Sequence, residues 1–487
     1  MAPKILFAIL NKTRTLTANA LFTRTLASPT SPSKRNDLYA RISPLRKPGV
    51  SVVPVLDEWV QEGKRVYELE LQRIIRDLRA RNRCAHALEV SEWMSNHDLK
   101  FTSGDHAVQL DLIGTVQGVE PAESYFSSLR DEYKMEKTYG ALLNCYVREG
   151  LIDKSLSILQ KMREMGFLSS SLNYNCIMCL YAKTGQFEKV PEVFAEMKEH
   201  GVNPDNYSYR LCMTSYASRS NLDGMEKVLQ EMESKPHISM DWLTYSMVAN
   251  YYIKSGLNGK ALHYLRKCEE KVDKDALGYN HLISSYASLG NKDEMMRFWR
   301  LQEAACKKQI NRDYITMLGS LVKIGDIEET EKLLKEWESS CQTFDFRVPN
   351  ILLIGYSQKG LVEKAEAALR DIVRRQKNAI PIPNSWAIIA AGYVSKNNME
   401  KAVECFKEAL AVEAENPGWR PKLPLISSLL SWLGDYGDVE EVEAFVKLLN
   451  TKVPRSKEMY DALMKAYIRA GKDGHVNTLK SALHLFH

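Results

Sequence analysis

The sequence predicts an all-α chain, a helix-turn-helix repeat solenoid of about 10 to 12 units. Three observations carry this. An aromatic residue is followed eleven positions later by glycine at Tyr139/Gly150, Tyr174/Gly185, Tyr245/Gly256, Tyr279/Gly290 and Tyr314/Gly325, and Pro349/Gly360 keeps the spacing without the ring. Counted from three residues before that anchor, units begin at 136, 171, 206, 242, 276, 311, 346 and 383, in steps of 34 to 37. No segment alternates long enough to form a strand.

Each unit reads as two helices. In the 171 unit Tyr174, Ile177 and Tyr181 recur at i, i+3, i+7, one face of a helix. Lys183-Thr184-Gly185 ends it, with glycine placed for a left-handed cap. Val190, Val193, Phe194 and Met197 then form a second stripe, and Gly201 and Pro204 close the unit. Two helices cannot bury both stripes alone, so units stack on their neighbours into a superhelix with one concave face. The clearest units are 136–170, 171–205, 206–241, 242–275, 276–310, 311–345 and 346–382, within an array over 68–487 that has weaker units at either end. Residues 37–67 read as an N-terminal capping segment.

Residues 1–36 differ. They contain Lys4, Lys12, Arg14, Arg24, Lys34 and Arg35, no Asp or Glu, and recurring Thr and Ser among apolar residues. A basic, hydroxylated, acid-free amphipathic leader is the pattern of an organelle transit peptide. Arginine spaced along an amphipathic stretch favours the mitochondrion, with the chloroplast as the alternative.

The whole chain has 66 Lys and Arg against 61 Asp and Glu; setting aside the six basic residues of the leader leaves 60 against 61. Net charge therefore gives no argument for a nucleic-acid partner, and any such argument must rest on local placement. No apolar stretch reaches the ~18 residues a membrane span needs. The nine cysteines are scattered and read as reduced thiols. Cys176 and Cys179 form a Cys-x2-Cys pair, but a closed zinc site needs four ligands and the chain has no second such pair. Packing at a helix interface is the better reading of both, and no metal or cofactor is expected.

The 171 unit, SLNYNCIMCLYAKTGQFEKVPEVFAEMKEHGVNPD, carries Tyr-Asn early, Tyr-Ala-Lys-x-Gly at the turn, Phe-x-x-Met-Lys near the end and then Pro-Asp. It resembles the pentatricopeptide repeat family, of the pure-repeat P type. The resemblance covers about residues 68 to 487 and is strongest from 136 to 345. It implies a right-handed superhelix that binds single-stranded RNA at about one base per repeat. In that family the residue after the anchor and the last residue of the unit read the base, and the residue two before the anchor flanks it.

Carried over, the reading pairs are Gly140 with Ser170, Asn175 with Asp205, Arg210 with Asp241, Ser246 with Asp275, Asn280 with Ile310, Ile315 with Asp345 and Asn350 with Ile382. Asn-Asp resembles the uracil-preferring combination and Ser-Asp the guanine-preferring one. The side chains of Ile310, Ile315 and Ile382 cannot hydrogen-bond a base. The flanking residues Leu172, Tyr207, Leu243 and Leu277 can pack on a base face, whereas Arg312 and Arg347 lose that apolar clamp. The best RNA track is therefore expected between about 171 and 310.

Arg148, Lys183, Lys254 and Lys323 close first helices. They read equally as a phosphate ladder or as cations favoured at helix C-termini. For Asn175, Ser246 and Asn280 the alternative to RNA contact is a solvated helix surface.

No His-x-Glu, Walker loop or Rossmann fingerprint occurs, and the carboxylates of Glu192, Glu196 and Glu199 fit a solvated face, so no enzyme is expected. Two functions compete. One is an RNA-binding adaptor for organellar transcripts. The other is a structural array docked on the mitochondrial ribosome or another protein complex.

Overall fold

The computed structural model describes residues 37–45, 49–97, 99–306, 308–376, 381–412, 419–450, 453–454, 456–472, 474–476 and 479. The leader at 1–36 lies outside them. Among the described residues the regular structure is helical. The chain divides into two compact bodies, Met1–Met240 and Asp241–His487.

The first body opens with Leu38–Ile42 and Val53–Gln61. Leu38, Ile42, Val52, Leu56 and Trp59 join the buried core of the first repeats, so this segment covers the end of the array. Five helix pairs follow: Glu68–Ala80 with Cys84–Asn96, Ser103–Val116 with Val119–Ser128, Glu136–Glu149 with Ile152–Glu164, Ser171–Lys183 with Lys189–Glu199, and Asn206–Ser218 with Leu222–Glu233.

Among its described residues the second body shows six pairs and a further first helix. They are Trp242–Lys254 with Asn258–Glu269, Ala276–Ser288 with Lys292–Ala305, Asn311–Ile324 with Ile327–Ser340, Pro349–Gln358 with Val362–Arg375, Pro383–Ser395 with Met399–Ala411, and Leu423–Tyr436 with Val439–Asn450, then Lys457–Arg469. Within each body a first helix packs on its own second helix and on the first helix of the next repeat.

This arrangement decides burial. The second helix Lys189–Glu199 buries only Val190, Val193, Phe194 and Met197, the stripe that its spacing predicts. The first helix Ser171–Lys183 lies inside the stack and buries every residue from Asn173 to Ala182. Tyr174, Ile177 and Tyr181 are buried as predicted, but so are Asn173, Asn175, Cys176 and Cys179. A single-stripe reading is too narrow for a helix covered by neighbours on several sides.

The turn between paired helices is a left-handed residue eleven positions after the anchor. Gly150, Gly185, Gly256, Gly290, Gly325 and Gly360 have φ between 71° and 84°. The same position is filled by Asn82, Ser220 and Asn397 at φ 58° to 59°, and by Gly471 at 67°. The conformation therefore marks repeats at 68, 206, 383 and 457 where an aromatic-to-glycine search fails or is weak. Asn reaches this region through its short polar side chain, whereas Ser pays a steric penalty of about 1 kcal/mol. The 423 repeat departs: Gly437 is extended at φ −70°.

Two alanine substitutions with opposite signs test this layout. A Cβ at Gly185 meets nothing within 4 Å, so Gly185→Ala exposes the backbone strain alone. It is expected to lower stability by about 1 kcal/mol. Gly319 sits mid-helix with equally open space, and Gly319→Ala is expected to raise stability by about 1 kcal/mol. Shifts of the urea midpoint in opposite directions check both.

Candidate nucleic-acid interface

In the 171 repeat Asn175 and Asp205 are hydrogen-bonded to each other. Asp205 is the N-cap of Asn206–Ser218 and accepts from the Ser208 N–H at 2.8 Å. Its carboxylate also accepts from Ser171 Oγ at 2.7 Å and from Asn175 Nδ2 at 3.2 and 3.3 Å. Capping the next helix therefore holds Asp205 beside Asn175. Asn175 is only 3% exposed, and its Oδ1 has no protein partner. A buried acceptor left unmade is costly, and a ligand N–H would satisfy it.

The other expected pairs depart from this pattern, each for a local reason. Gly140 has no side chain, and Asn173 Oδ1 would lie 3.1 Å from a Cβ there, so Asn173 rather than Ser170 fills that space. Arg210 is buried in the first body; Asp241 opens the second and accepts from Thr244 N and Oγ1 at 2.9 and 2.6 Å. Ser246 does not reach Asp275. Its Oγ lies 3.4 Å from His281 Nδ1, while Asp275 caps the Leu277 N–H at 2.9 Å and accepts from Trp242 Nε1 at 3.1 Å. Burial lowers the His281 pKa against the pull of Asp275, which favours the neutral ring.

Ile310 is half exposed, and Asn280 pairs with Asp313 instead, Nδ2 to Oδ1 at 2.6 Å. Asp345 is held by Arg347 at 2.6 Å and by Asn311 Nδ2 at 3.0 Å. Burial works to raise its pKa, but the Arg347 side chain and N–H and Asn311 outweigh it and hold the carboxyl low. Ile315 is half-buried. Asn350 is buried with Oδ1 unpartnered, and Ile382 is an N-cap without a side-chain bond.

Asn175, Ser246 and Asn280 are 3%, 1% and 5% exposed, so the solvated-surface alternative does not hold for them. Of the flanking residues, Leu172 stands out at 53% exposure, and Leu243 and Leu277 are half-buried. Tyr207 is buried, its hydroxyl 3.1 Å from Cys179 Sγ, and presents no open ring face. That contact places Cys179 in the packing between first helices, and Cys176 is buried on the same helix.

The basic residues closing first helices are largely engaged within the protein. Lys183 Nζ bonds the Arg148 carbonyl at the end of the preceding first helix. Lys323 reaches Ser288 Oγ at 2.5 Å, and Lys359 reaches the Gly325 carbonyl at 2.8 Å. Arg469 bonds the Gly437 carbonyl in the same manner. Lys183, Lys359 and Arg469 thus cap the C-terminal end of the preceding first helix, where orphan carbonyls concentrate negative potential, and Lys323 sits at the same end through a hydroxyl. Arg148 pairs with Asp111 at 3.3 Å, and Asp111 also holds Arg79 at 2.7 Å. Of the four residues expected to form a phosphate ladder, Lys183, Lys254 and Lys323 are exposed and Arg148 is half-buried, and Lys254 Nζ lies 5.6 Å from the Tyr251 ring centroid. The missed signal was the 35-residue offset of Lys183 from Arg148 and of Lys323 from Ser288, one full repeat.

A stack of helical hairpins with buried amides and carboxylates where first helices meet defines a helical-repeat array. The PPR repeat family matches residues 169–218, and the PPR repeat matches 137–167, 207–237, 278–301, 313–341, 348–376 and 385–411. A pentatricopeptide repeat-containing protein of Arabidopsis thaliana, named as mitochondrial, is 48% identical over 440 residues, covering 90% of this chain and 89% of that protein. The large ribosomal subunit protein mL101 (rPPR4) of Arabidopsis thaliana is 41% identical over 440 residues, covering 89% of each. The maize pentatricopeptide repeat protein PPR10, crystallised with an 18-nucleotide psaJ RNA element, is similar at 16% identity and a TM-score of 0.36 over 88% of this chain and 72% of that one. This chain belongs to the pentatricopeptide repeat family.

The interlock of repeats carries a pH signature. Lys364 at 2.8 Å and the Tyr356 hydroxyl at 2.7 Å hold the Glu331 carboxyl below its ordinary pKa of 4.5. Lys292 and the capped Glu329 N–H do the same for Asp326. A carboxyl with a lowered folded pKa stabilises above its unfolded pKa and loses that contribution as pH falls through the folded value. The melting temperature is expected to be flat from neutral pH to the ordinary carboxylate range and to fall below it. Glu331→Gln should cost about 0.5 to 1 kcal/mol at pH 7 and flatten the acid limb, read in thermal melts across pH.

Proposed function

We propose that this protein is a mitochondrial single-stranded RNA-binding array of the pure-repeat type, acting in processing, stability or translation of organellar transcripts. It acts by occupying RNA, not by catalysis. The observation that carries this reading is Asn175: a buried amide, oriented by the Asp205 cap, with its Oδ1 unmatched. That constellation offers an acceptor and a second amide hydrogen to the edge of an unstacked base. Leu172 is exposed on the same helix, two residues before the anchor, and supplies an apolar surface against a base face.

The non-catalytic part is supported by the thiols. Burial pushes Cys212, Cys268 and Cys405 up to about 12, which keeps them protonated and poorly nucleophilic at neutral pH. The mitochondrial setting is supported by the acid-free leader and by the name of the 48% identical relative.

A second reading is favoured by two observations: the 41% identical relative is a large ribosomal subunit protein, and Gly140 and Ile315 bring no base-reading group. In that reading the array docks on the mitochondrial ribosome by shape. Co-sedimentation with a ribosomal subunit that survives high salt, without measurable binding to free RNA, would select it.

For the first reading, Asn175→Ala is expected to weaken binding to its selected RNA about tenfold with an unchanged salt slope. Lys254→Ala is expected to reduce the slope of log K against log salt by about 0.7. Equilibrium binding over a salt series checks both, and an unchanged affinity in Asn175→Ala would contradict the proposal.

A further inference from the structure

In the 171 repeat the carboxylate beside the reading amide comes from the last residue, Asp205, which caps the next helix through the Ser208 N–H. In the 276 repeat the last residue is Ile310, whose side chain is half exposed and offers no polar atom. Three residues on, Asp313 is 2% exposed. Its Oδ2 accepts from the Ile310 N–H at 3.0 Å, and its Oδ1 accepts from Asn280 Nδ2 at 2.6 Å. Only half of a capping box is made: the side chain at the third helical position reaches back to the N-cap N–H, while Ile310 has no side-chain acceptor to return the bond. The carboxylate nevertheless lies against the amide, as it does in the 171 repeat.

We propose that Asp313 takes the place of the last residue as the specificity-determining partner of Asn280, so that the 276 repeat reads a nucleobase through Asn280 and Asp313. The ligand is a base edge presenting an N–H beside a carbonyl, the class matched by Asn175 and Asp205. This rests on the RNA-binding reading above.

The hydrogen-bond count supports it. One Asn280 amide hydrogen goes to Asp313, and one Oδ1 lone pair accepts from Gln302 Nε2 at 3.3 Å. One hydrogen and one lone pair of Asn280 remain for a base. Gln302 is fully buried, and its Nε2 keeps the Ala276 carbonyl at 3.1 Å whichever way Asn280 turns. Its Oε1 has no partner. Arg312 Nε lies 3.6 Å from Asp313 Oδ1.

A second repeat has the same layout. Asn350 occupies the reading position, Ile382 is the last residue, and the third helical position is Ser385. Asn350 is 4% exposed and Ser385 is fully buried, and Asn350 Oδ1 and Ser385 Oγ both lack protein partners. Two unmatched polar atoms at these registers are what a displaced reading pair leaves when no base is bound.

The test is selection from a random-sequence single-stranded RNA library with the full chain, comparing wild type, Asp313→Ser, and the double variant Ile310→Asp with Asp313→Ser. The double variant rebuilds the Asp205–Ser208 arrangement, and thermal melts establish that each variant is folded. Wild type is expected to prefer one nucleotide at one position. Asp313→Ser should reduce that preference about tenfold while the other positions hold, and the double variant should restore it. An unchanged preference in Asp313→Ser would reduce Asp313 to a helix cap and overturn the inference, as would a folded double variant that fails to restore selectivity. If wild type enriches no RNA, the RNA-binding reading itself fails and this assignment falls with it.

Discussion

The first helix of each repeat is enclosed by its own second helix and by the first helices before and after it within a body. Its buried polar groups are largely cut off from water, and those that are matched find partners across the repeat boundary. The matching groups lie where the next first helix begins, because its N-cap needs an acceptor anyway. Asp205 serves both needs through Ser208 and Asn175, and Asp313 serves both through Ile310 and Asn280. Register, helix initiation and the geometry of the candidate base-reading groups thus follow from one interaction.

The opposite ends of the first helices obey the same logic with the sign reversed. Lys183 and Lys359 place their ammonium groups on carbonyls of the preceding helix, near one repeat length away. On the second helices, pairs such as Lys198–Glu231 at 3.2 Å, Lys364–Glu331 at 2.8 Å and Lys407–Glu441 at 2.9 Å join successive repeats. Each exposed pair adds little by itself, but repetition along the array opposes slippage between neighbours. Much of the chain's charge is spent between repeats, which suits its near balance of acidic and basic residues. In the RNA-binding reading proposed above, affinity comes from amides, carboxylates and apolar surface more than from phosphate neutralisation.

The repeat architecture was legible because its marks are periodic. The anchor-to-glycine spacing located most repeats, since a left-handed turn favours glycine. Asn82, Ser220 and Asn397 escaped because the same backbone conformation was met by residues that a glycine search ignores. The Asn175–Asp205 pair was legible as well, since its partners sit at the two ends of one repeat. The Asn280 partner was not: the useful carboxylate lies three residues into the next helix, at Asp313, where it bonds both the Ile310 N–H and the Asn280 amide. The contacts of Tyr207 and of Lys183 were not legible for a related reason. Their partners, Cys179 and the Arg148 carbonyl among them, belong to the preceding repeat, and a repeat read alone cannot show them.

In this light the array is a row of preformed, partly unsatisfied polar sites separated by apolar packing, with selectivity concentrated in a few repeats. The central claim is that RNA meets the first helices at these sites. Photocrosslinking of a thiouridine-containing RNA to the full chain, followed by mass spectrometry of the linked peptides, measures this most directly. Crosslinks within 171–183 and 276–288, close to Leu172, Asn175 and Asn280, are the expected result. Crosslinks confined to second helices such as 189–199 and 292–305 would contradict it.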